Sequence, residues 1–143
     1  MTERKSLVVG LTGQTGAGKT TVSEAFEKHG YAVINADQLA RTVTSEPEVL
    51  LRLSELFGEE ILLPDGSLDR KALGARVFSD PAELQKLDGA LYPIIVSRIE
   101  GEIQKLTESG RRYILLDAPT LFESGADKLC DKTVAVLAEA DLR

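Results

Sequence analysis

The chain has 143 residues, with 17 Lys+Arg against 23 Asp+Glu and a formal net charge of −6. That length suits one domain, and 43% hydrophobic with 28% charged residues is ordinary for a soluble globular protein with a buried core. The acidic balance argues against broad binding to nucleic acid or to an anionic membrane. Cys130 and His29 are the only residues of their kinds, which excludes an internal disulfide, a thiolate metal cluster and a multi-histidine metal site. No apolar run approaches the roughly 18 residues needed to cross a bilayer. The apolar stretch Leu7–Leu11 is also too short for a signal peptide, so the expected location is cytoplasmic.

In chain order, Leu7-Val-Val-Gly-Leu11 reads as a short buried strand with turn residues directly behind it. Lys19–Lys28 lacks Gly and Pro, carries Val22, Ala25 and Phe26 on one side, and reads as a helix closed by Gly30 in the left-handed C-cap position. Tyr31–Ile34 is a second buried strand. The opening strand–loop–helix–strand predicts an α/β fold with a parallel sheet. From about residue 38 to 109 the pattern turns helical. Ser45-Glu-Pro-Glu48 reads as a capping box before Val49, Leu50, Leu53, Leu56 and Phe57. Pro64-Asp-Gly66 is a turn, and Leu68, Ala72, Leu73, Val77 and Phe78 suggest another helix. Asp80-Pro-Ala-Glu83 repeats the capping pattern, and Pro93 is expected to open one more helix with Ile95, Ile99, Ile103 and Leu106 on its apolar face. This stretch is too long for one ordinary crossover and reads as a helical excursion from the sheet, within a single domain spanning 1–143. Strands return at Tyr113–Leu116, ending on Asp117, and at Thr133–Leu137. Glu139–Arg143 looks like the first turn of a further helix.

Between the first strand and the first helix, Gly13-Gln-Thr-Gly-Ala-Gly-Lys-Thr20 matches G-x-x-x-x-G-K-[ST] at every fixed position. Glycines let successive backbone N–H groups turn toward one anion, and the helix start adds its positive end. The expected nucleotide-binding residues are Gly13, Thr15, Gly16, Ala17, Gly18, Lys19, Thr20 and Thr21, serving ATP. Lys19 is expected to stand exposed in the empty loop and to reach the β- and γ-phosphates, with the Thr20 hydroxyl as a Mg²⁺ ligand. A Gly-rich turn without a ligand is the alternative; the flanking strand and helix argue against it. The only Asn, Asn35, is followed by Ala, so N-K-x-D for guanine is missing; no Asp has Gly three residues on, so D-x-x-G is missing too. A small-molecule kinase fits better than a GTPase.

The residues also resemble a known family. Val9-Gly-Leu-Thr-Gly-Gln-Thr-Gly-Ala-Gly-Lys-Thr-Thr-Val22 resembles the opening of dephospho-coenzyme A kinases. Val33-Ile-Asn-Ala-Asp-Gln-Leu-Ala-Arg41 is similar to that family's I-D-A-D-x-x-A-R. Asp65–Leu73 with Arg76-Val-Phe78, Asp117-Ala-Pro-Thr-Leu-Phe-Glu123 and Cys130-Asp-Lys-Thr-Val134 match later blocks. The resemblance implies a P-loop kinase core with a helical CoA-binding part. The implied reaction is transfer of phosphate from ATP, with Mg²⁺, to the ribose 3′-hydroxyl of dephospho-CoA. Other P-loop small-molecule kinases, and a nucleotide-binding fragment without turnover, are the alternatives. Asn35, Tyr92 and Thr120 depart from the family's usual Asp, His and Leu. The matches stop before the family's arginine-bearing lid, which implies weak Mg–ATP binding and slow turnover by these residues alone.

Site roles follow, each with a plainer alternative. Asp37, just past the second strand, serves as base for the ribose hydroxyl or as a helix N-cap. Arg41, four residues on, contacts substrate or pairs with Asp37. Asp117 is a Walker-B-like acid near Mg²⁺. Phe78, Tyr92 and Arg98 line the CoA site, or, for Phe78, pack in the core. Glu123 orients the segment after Pro119. Cys130 is a small buried residue and His29 a solvated helix end. The sequence carries no signal for oligomeric state.

Overall fold

A computed structural model describes residues 6–13 and 18–136; the expectations for Gln14–Ala17 and Leu137–Arg143 lie outside the described residues. The chain forms two compact units. Among the described residues, one runs up to Leu39 and resumes at Val96, and the other is Ala40–Ile95.

The first unit is built on four parallel strands: β1 (Leu7–Gly13), β2 (Ala32–Asn35), β3 (Tyr113–Asp117) and β4 (Lys132–Val136). Their order is β2-β3-β1-β4. Apolar side chains alternate to opposite faces along a strand, so a strand apolar at every position must be covered on both sides. That is the case here: Val8, Leu11, Ile114, Leu115 and Leu116 are all fully buried. Val9, Leu11 and Leu115 share one face with Val22 and Phe26 of α1 (Lys19–Lys28). Helix α1 ends as its sequence predicts. Gly30 has φ +92°, its N–H donates to Glu27 O at 3.1 Å, and Tyr31 N–H donates to Phe26 O at 3.1 Å, closing a Schellman motif.

Gly10 is required for packing rather than for a turn. A Cβ there would lie 2.7 Å from Cys130 Sγ and 2.8 Å from Leu121 Cδ2. Cys130 is half-buried against β1, and His29 is exposed with Nδ1 2.8 Å from Ala25 O.

Two helices follow β2: α2 (Ala36–Val43) and α3 (Pro47–Phe57). After a 3₁₀ turn at Glu59–Ile61 come α4 (Arg70–Phe78) and α5 (Pro81–Glu108). In the second unit Val43, Val49, Leu53, Phe57, Ile61, Leu73 and Val77 make one core, with Leu87, Leu91 and Ile94 packed against it. The Pro64–Gly66 turn is present. Asp65 Oδ1 accepts from the Ser67 hydroxyl at 2.6 Å and from its amide at 3.0 Å, which holds the Asp65 carboxyl below its usual value.

The sequence expectations need correction at several points. Pro93 does not open a helix; it sits inside α5, a single helix of 28 residues. A mid-helix proline removes one hydrogen bond and crowds the carbonyl four residues back, a cost of about 3 kcal/mol. Apolar packing on both sides of it, Leu87, Leu91 and Ile94 before and around it and buried Ile99 and Ile103 after it, keeps the helix continuous. The Ser45 capping box does not form. The Ser45 hydroxyl donates backward to Thr42 O at 2.7 Å, and the residue flanking α3 is Glu46, with no side-chain cap. At Asp80 only half the pattern is made: Oδ1 accepts from Ala82 N–H at 3.0 Å, while Glu83 pairs with Lys86 at 3.0 Å and Arg76 at 3.7 Å. Phe78 is not core; it is 90% exposed at the end of α4.

Candidate phosphate-binding site

Parallel pairing brings the carboxyl ends of β1, β2 and β3 to one edge of the sheet. Leu11 of β1 and Asn35 of β2 are both in register with Asp117, the last residue of β3. The phosphate loop leaves β1 from this edge. Gly13 (φ +154°) ends the strand with Val136 O only 2.5 Å from where a Cβ would stand. Gly18 (φ +91°) precedes α1 in the left-handed conformation that a glycine adopts without strain. Thr15, Gly16 and Ala17 lie outside the described residues. Helix α1 therefore starts at the sheet edge, with Lys19 as its first residue and exposed Thr20 and Thr21 next.

Lys19 is neither exposed nor free, contrary to the expectation from sequence. Its Nζ donates to Asp117 Oδ1 at 2.6 Å, and the two side chains are only 15% and 13% exposed. Of the residues read as functional, these two are in contact among the described residues. The sequence signal for each was present, a motif lysine and an acid ending an apolar strand. The register that aligns them is a long-range property. Thr12 adds a link at the same edge, its hydroxyl donating to Pro119 O at 3.2 Å.

Asp37 does not cap α2. It is the second residue of the helix and is exposed, while Asn35 Oδ1 accepts from Gln38 N–H at 3.1 Å. Asn35 thus supplies the cap, a role that the pattern Asn-Ala-Asp leaves ambiguous because either acid-like residue can precede a helix. Asp37 stands in the first turn of α2, two residues past the β2 partner of Asp117. Neither Asp37 nor Arg41 is in an ion pair among the described residues, so the plain salt-bridge role is not what the structure records. Arg41 is exposed on α2, Arg98 exposed on α5, and Glu123 exposed after Pro119.

Tyr92 is half-buried on α5, and its phenol donates to the carboxylate of Asp88, four residues earlier. Burial pushes the Asp88 carboxyl above its ordinary value, and this hydrogen bond offsets part of the rise. An open hollow of about 650 Å³ lies elsewhere in the Ala40–Ile95 unit, lined in part by Thr44, Leu50, Leu51, Leu62, Leu68 and Arg70. None of the residues read as functional lines it. Arg70 there donates to Thr44 Oγ1 at 2.9 Å.

Oxygen donors near the loop suit Mg²⁺ rather than a softer metal: one hydroxyl, Thr20, and one carboxylate, Asp117. No group of three or more His, Cys, Asp or Glu that could hold a metal occurs among the described residues. No helix among the described residues is long and apolar enough to cross a membrane.

A parallel sheet with a G-x-x-x-x-G-K-T loop between β1 and α1, and an acid ending the neighbouring strand, defines a P-loop α/β protein. Comparison with known proteins narrows the class. The model of the family described as dephospho-CoA kinase matches residues 7–143, and the chain belongs to that family. It is 41% identical to a dephospho-CoA kinase of Deinococcus radiodurans, covering 94% of this chain and 64% of the relative. It is 39% identical to one of Anaeromyxobacter dehalogenans, covering 95% and 65%. The crystal structure of TT1252 from Thermus thermophilus superposes with a TM-score of 0.76 at 33% identity, over 92% of this chain and 65% of that one. The chain thus spans just under two thirds of the length of these relatives.

Proposed function

We propose that the protein transfers the γ-phosphoryl group of ATP to the ribose 3′-hydroxyl of dephospho-CoA, giving CoA. Membership of the dephospho-CoA kinase family supports this reading. The observation that carries it is the strand-end cluster in which Lys19, Asp117 and the start of α2 share one edge of the sheet.

The backbone N–H groups of the Gly13–Thr21 loop cradle the phosphates. Lys19 neutralises charge that builds on the transferring group, and a donor preorganised for that charge contributes mainly in the transition state. Thr20 and Asp117 would hold Mg²⁺, which would supply neutralisation of phosphate charge when bound. Asp37 accepts the proton of the attacking ribose hydroxyl; its exposed carboxylate, outside any ion pair among the described residues, is open to that contact. Arg41, Phe78, Tyr92 and Arg98 contact the CoA substrate, with the exposed Phe78 ring offering a stacking face. The helical excursion at about residues 38–109 is the CoA-binding part in this reading, and the setting is the cytoplasm.

The test is a transfer assay with γ-labelled ATP, offering dephospho-CoA beside adenosine and a panel of small alcohols. Label is expected on dephospho-CoA as a 3′-phosphate, located by phosphorus NMR. Preferential labelling of another alcohol would assign the chain a different substrate, and nucleotide binding with no transfer to any acceptor would remove the kinase reading.

A further inference from the structure

The open hollow of about 650 Å³ in the Ala40–Ile95 unit has a chemistry of its own. Its apolar lining includes Leu51, Leu62 and Leu68, and Leu51 is 62% exposed. One wall is preformed. Leu62 and Leu68 pair as an isolated antiparallel bridge, and between them Leu63 N–H donates to Ser67 O at 2.8 Å. A wall already ordered spares a ligand the cost of ordering it. Two charged side chains of opposite sign, Arg70 and Glu59, share the lining. Arg70 is anchored by its bond to Thr44 Oγ1 at 2.9 Å and is in no ion pair among the described residues. Its other guanidinium N–H groups are left for an acceptor.

That combination selects a ligand. A purely apolar chain would strip water from Arg70 without replacing its hydrogen bonds, and a free anion would meet Glu59. A flexible, uncharged chain carrying amide groups satisfies every part. Its carbonyl oxygens accept from Arg70, its amide N–H groups donate to Glu59, and its methylenes cover the leucines. The hollow also begins one turn past Arg41. Thr44 lines it, and the Thr44 hydroxyl donates to Arg41 O at 3.2 Å. We propose that this hollow binds the pantetheine arm of dephospho-CoA, the amide-bearing chain beyond the diphosphate, with Arg41 one turn away on the diphosphate. This rests on the acceptor reading given above.

The test is titration of the ¹⁵N-labelled chain with dephospho-CoA and, separately, with AMP, which keeps the ribose hydroxyl and lacks the arm. A non-hydrolysable Mg–ATP analogue fills the phosphate site in both. Dephospho-CoA is expected to shift the amides of Thr44, Leu51, Leu62 and Arg70, and AMP to leave them in place. Leu51→Asp is expected to lower the preference for dephospho-CoA over AMP at least about tenfold, the equivalent of one lost leucine contact. A merely structural defect would weaken both ligands alike and leave that preference unchanged. Should Leu51→Asp not fold, Leu51→Ser is the second variant. Hollow amides unmoved by dephospho-CoA, or an unchanged preference in the variant, overturn the proposal while leaving the acceptor reading intact. Absence of dephospho-CoA binding overturns the acceptor reading and this inference together.

Discussion

The two units of this chain are stabilised alike and equipped differently. Each buries its own apolar cluster, one around β1 and β3, the other around Leu53, Phe57 and Ile61. In the sheet unit, strands buried on both faces end together, so polar residues at positions 12, 19, 35 and 117 collect at one edge. In the helical unit the polar residues are spread over the outer faces of α3, α4 and α5. Arg76 and Lys86 both lie over the Phe57 ring, at 5.6 and 5.0 Å, and both bind Glu83. That arrangement ties α4 and α5 to the Phe57 ring. Parallel strand ends concentrate chemistry because their direction and register are shared; a helical cluster has no such common edge.

If that contrast is right, the largest expected effect in the helical unit is on stability. Phe57 is 1% exposed and touches both the core and the cations above it. Phe57→Ala is expected to cost about 3–5 kcal/mol, read by urea titration followed by circular dichroism. A loss under about 1 kcal/mol would mean that the cluster around it can collapse to fill the space.

In the sheet unit the expected effect is on chemistry. Lys19→Ala should lower phosphoryl transfer about 100- to 1,000-fold, the usual result of removing one transition-state donor, with the helical signal retained. Near-normal turnover would mean that the strand-end edge is not where the phosphate sits.

Smaller, and again on stability, is Gly10→Ala. The new methyl would press on Cys130 Sγ and the Leu121 side chain, and overpacking of this kind costs about 1–3 kcal/mol. Pairing it with Cys130→Ala should recover part of the loss if that contact is the cause.

The smallest effect concerns Asp88. Its carboxyl titrates above its ordinary value in the folded chain because burial disfavours the charged form. The folded state therefore holds its proton to higher pH than the unfolded state does. The contribution of Asp88 is most favourable below the unfolded value of 3.8 and declines as pH rises through the raised folded value. Asp88→Asn should flatten that part of the stability–pH curve, and an unchanged slope between wild type and variant would count against the burial explanation.

Sequence reasoning reached the sheet unit more fully than the helical one, for physical reasons. Leu7–Leu11 and Tyr113–Leu116 are apolar at nearly every position, a pattern that only a strand covered on both faces can satisfy. Gly30 after Lys28-His29 marks a C-cap by its chemistry alone. The motif around Lys19 places a phosphate loop wherever a strand precedes it and a helix follows. The Lys19–Asp117 contact was not legible, because residues 98 apart in sequence meet only through strand register. Local signals misled at Ser45, whose hydroxyl had a carbonyl of the preceding turn to bond, and at Pro93, where packing outweighs one lost hydrogen bond. For Phe78 the sequence leaves core packing and a place in the substrate site both open, and the structure removes the first, since the ring is exposed at the end of α4.

The central claim is that nucleotide phosphate binds at the strand ends of the sheet unit and not in the hollow of the helical one. Amide chemical-shift mapping of the ¹⁵N-labelled chain during titration with Mg–ATP tests it most directly. The account predicts that Gly13, Gly18, Lys19, Thr20 and Asp117 shift together with a single affinity, while Leu50, Leu62 and Arg70 stay in place. Shifts confined to Leu50, Leu62 and Arg70, with the strand ends unmoved, would contradict it.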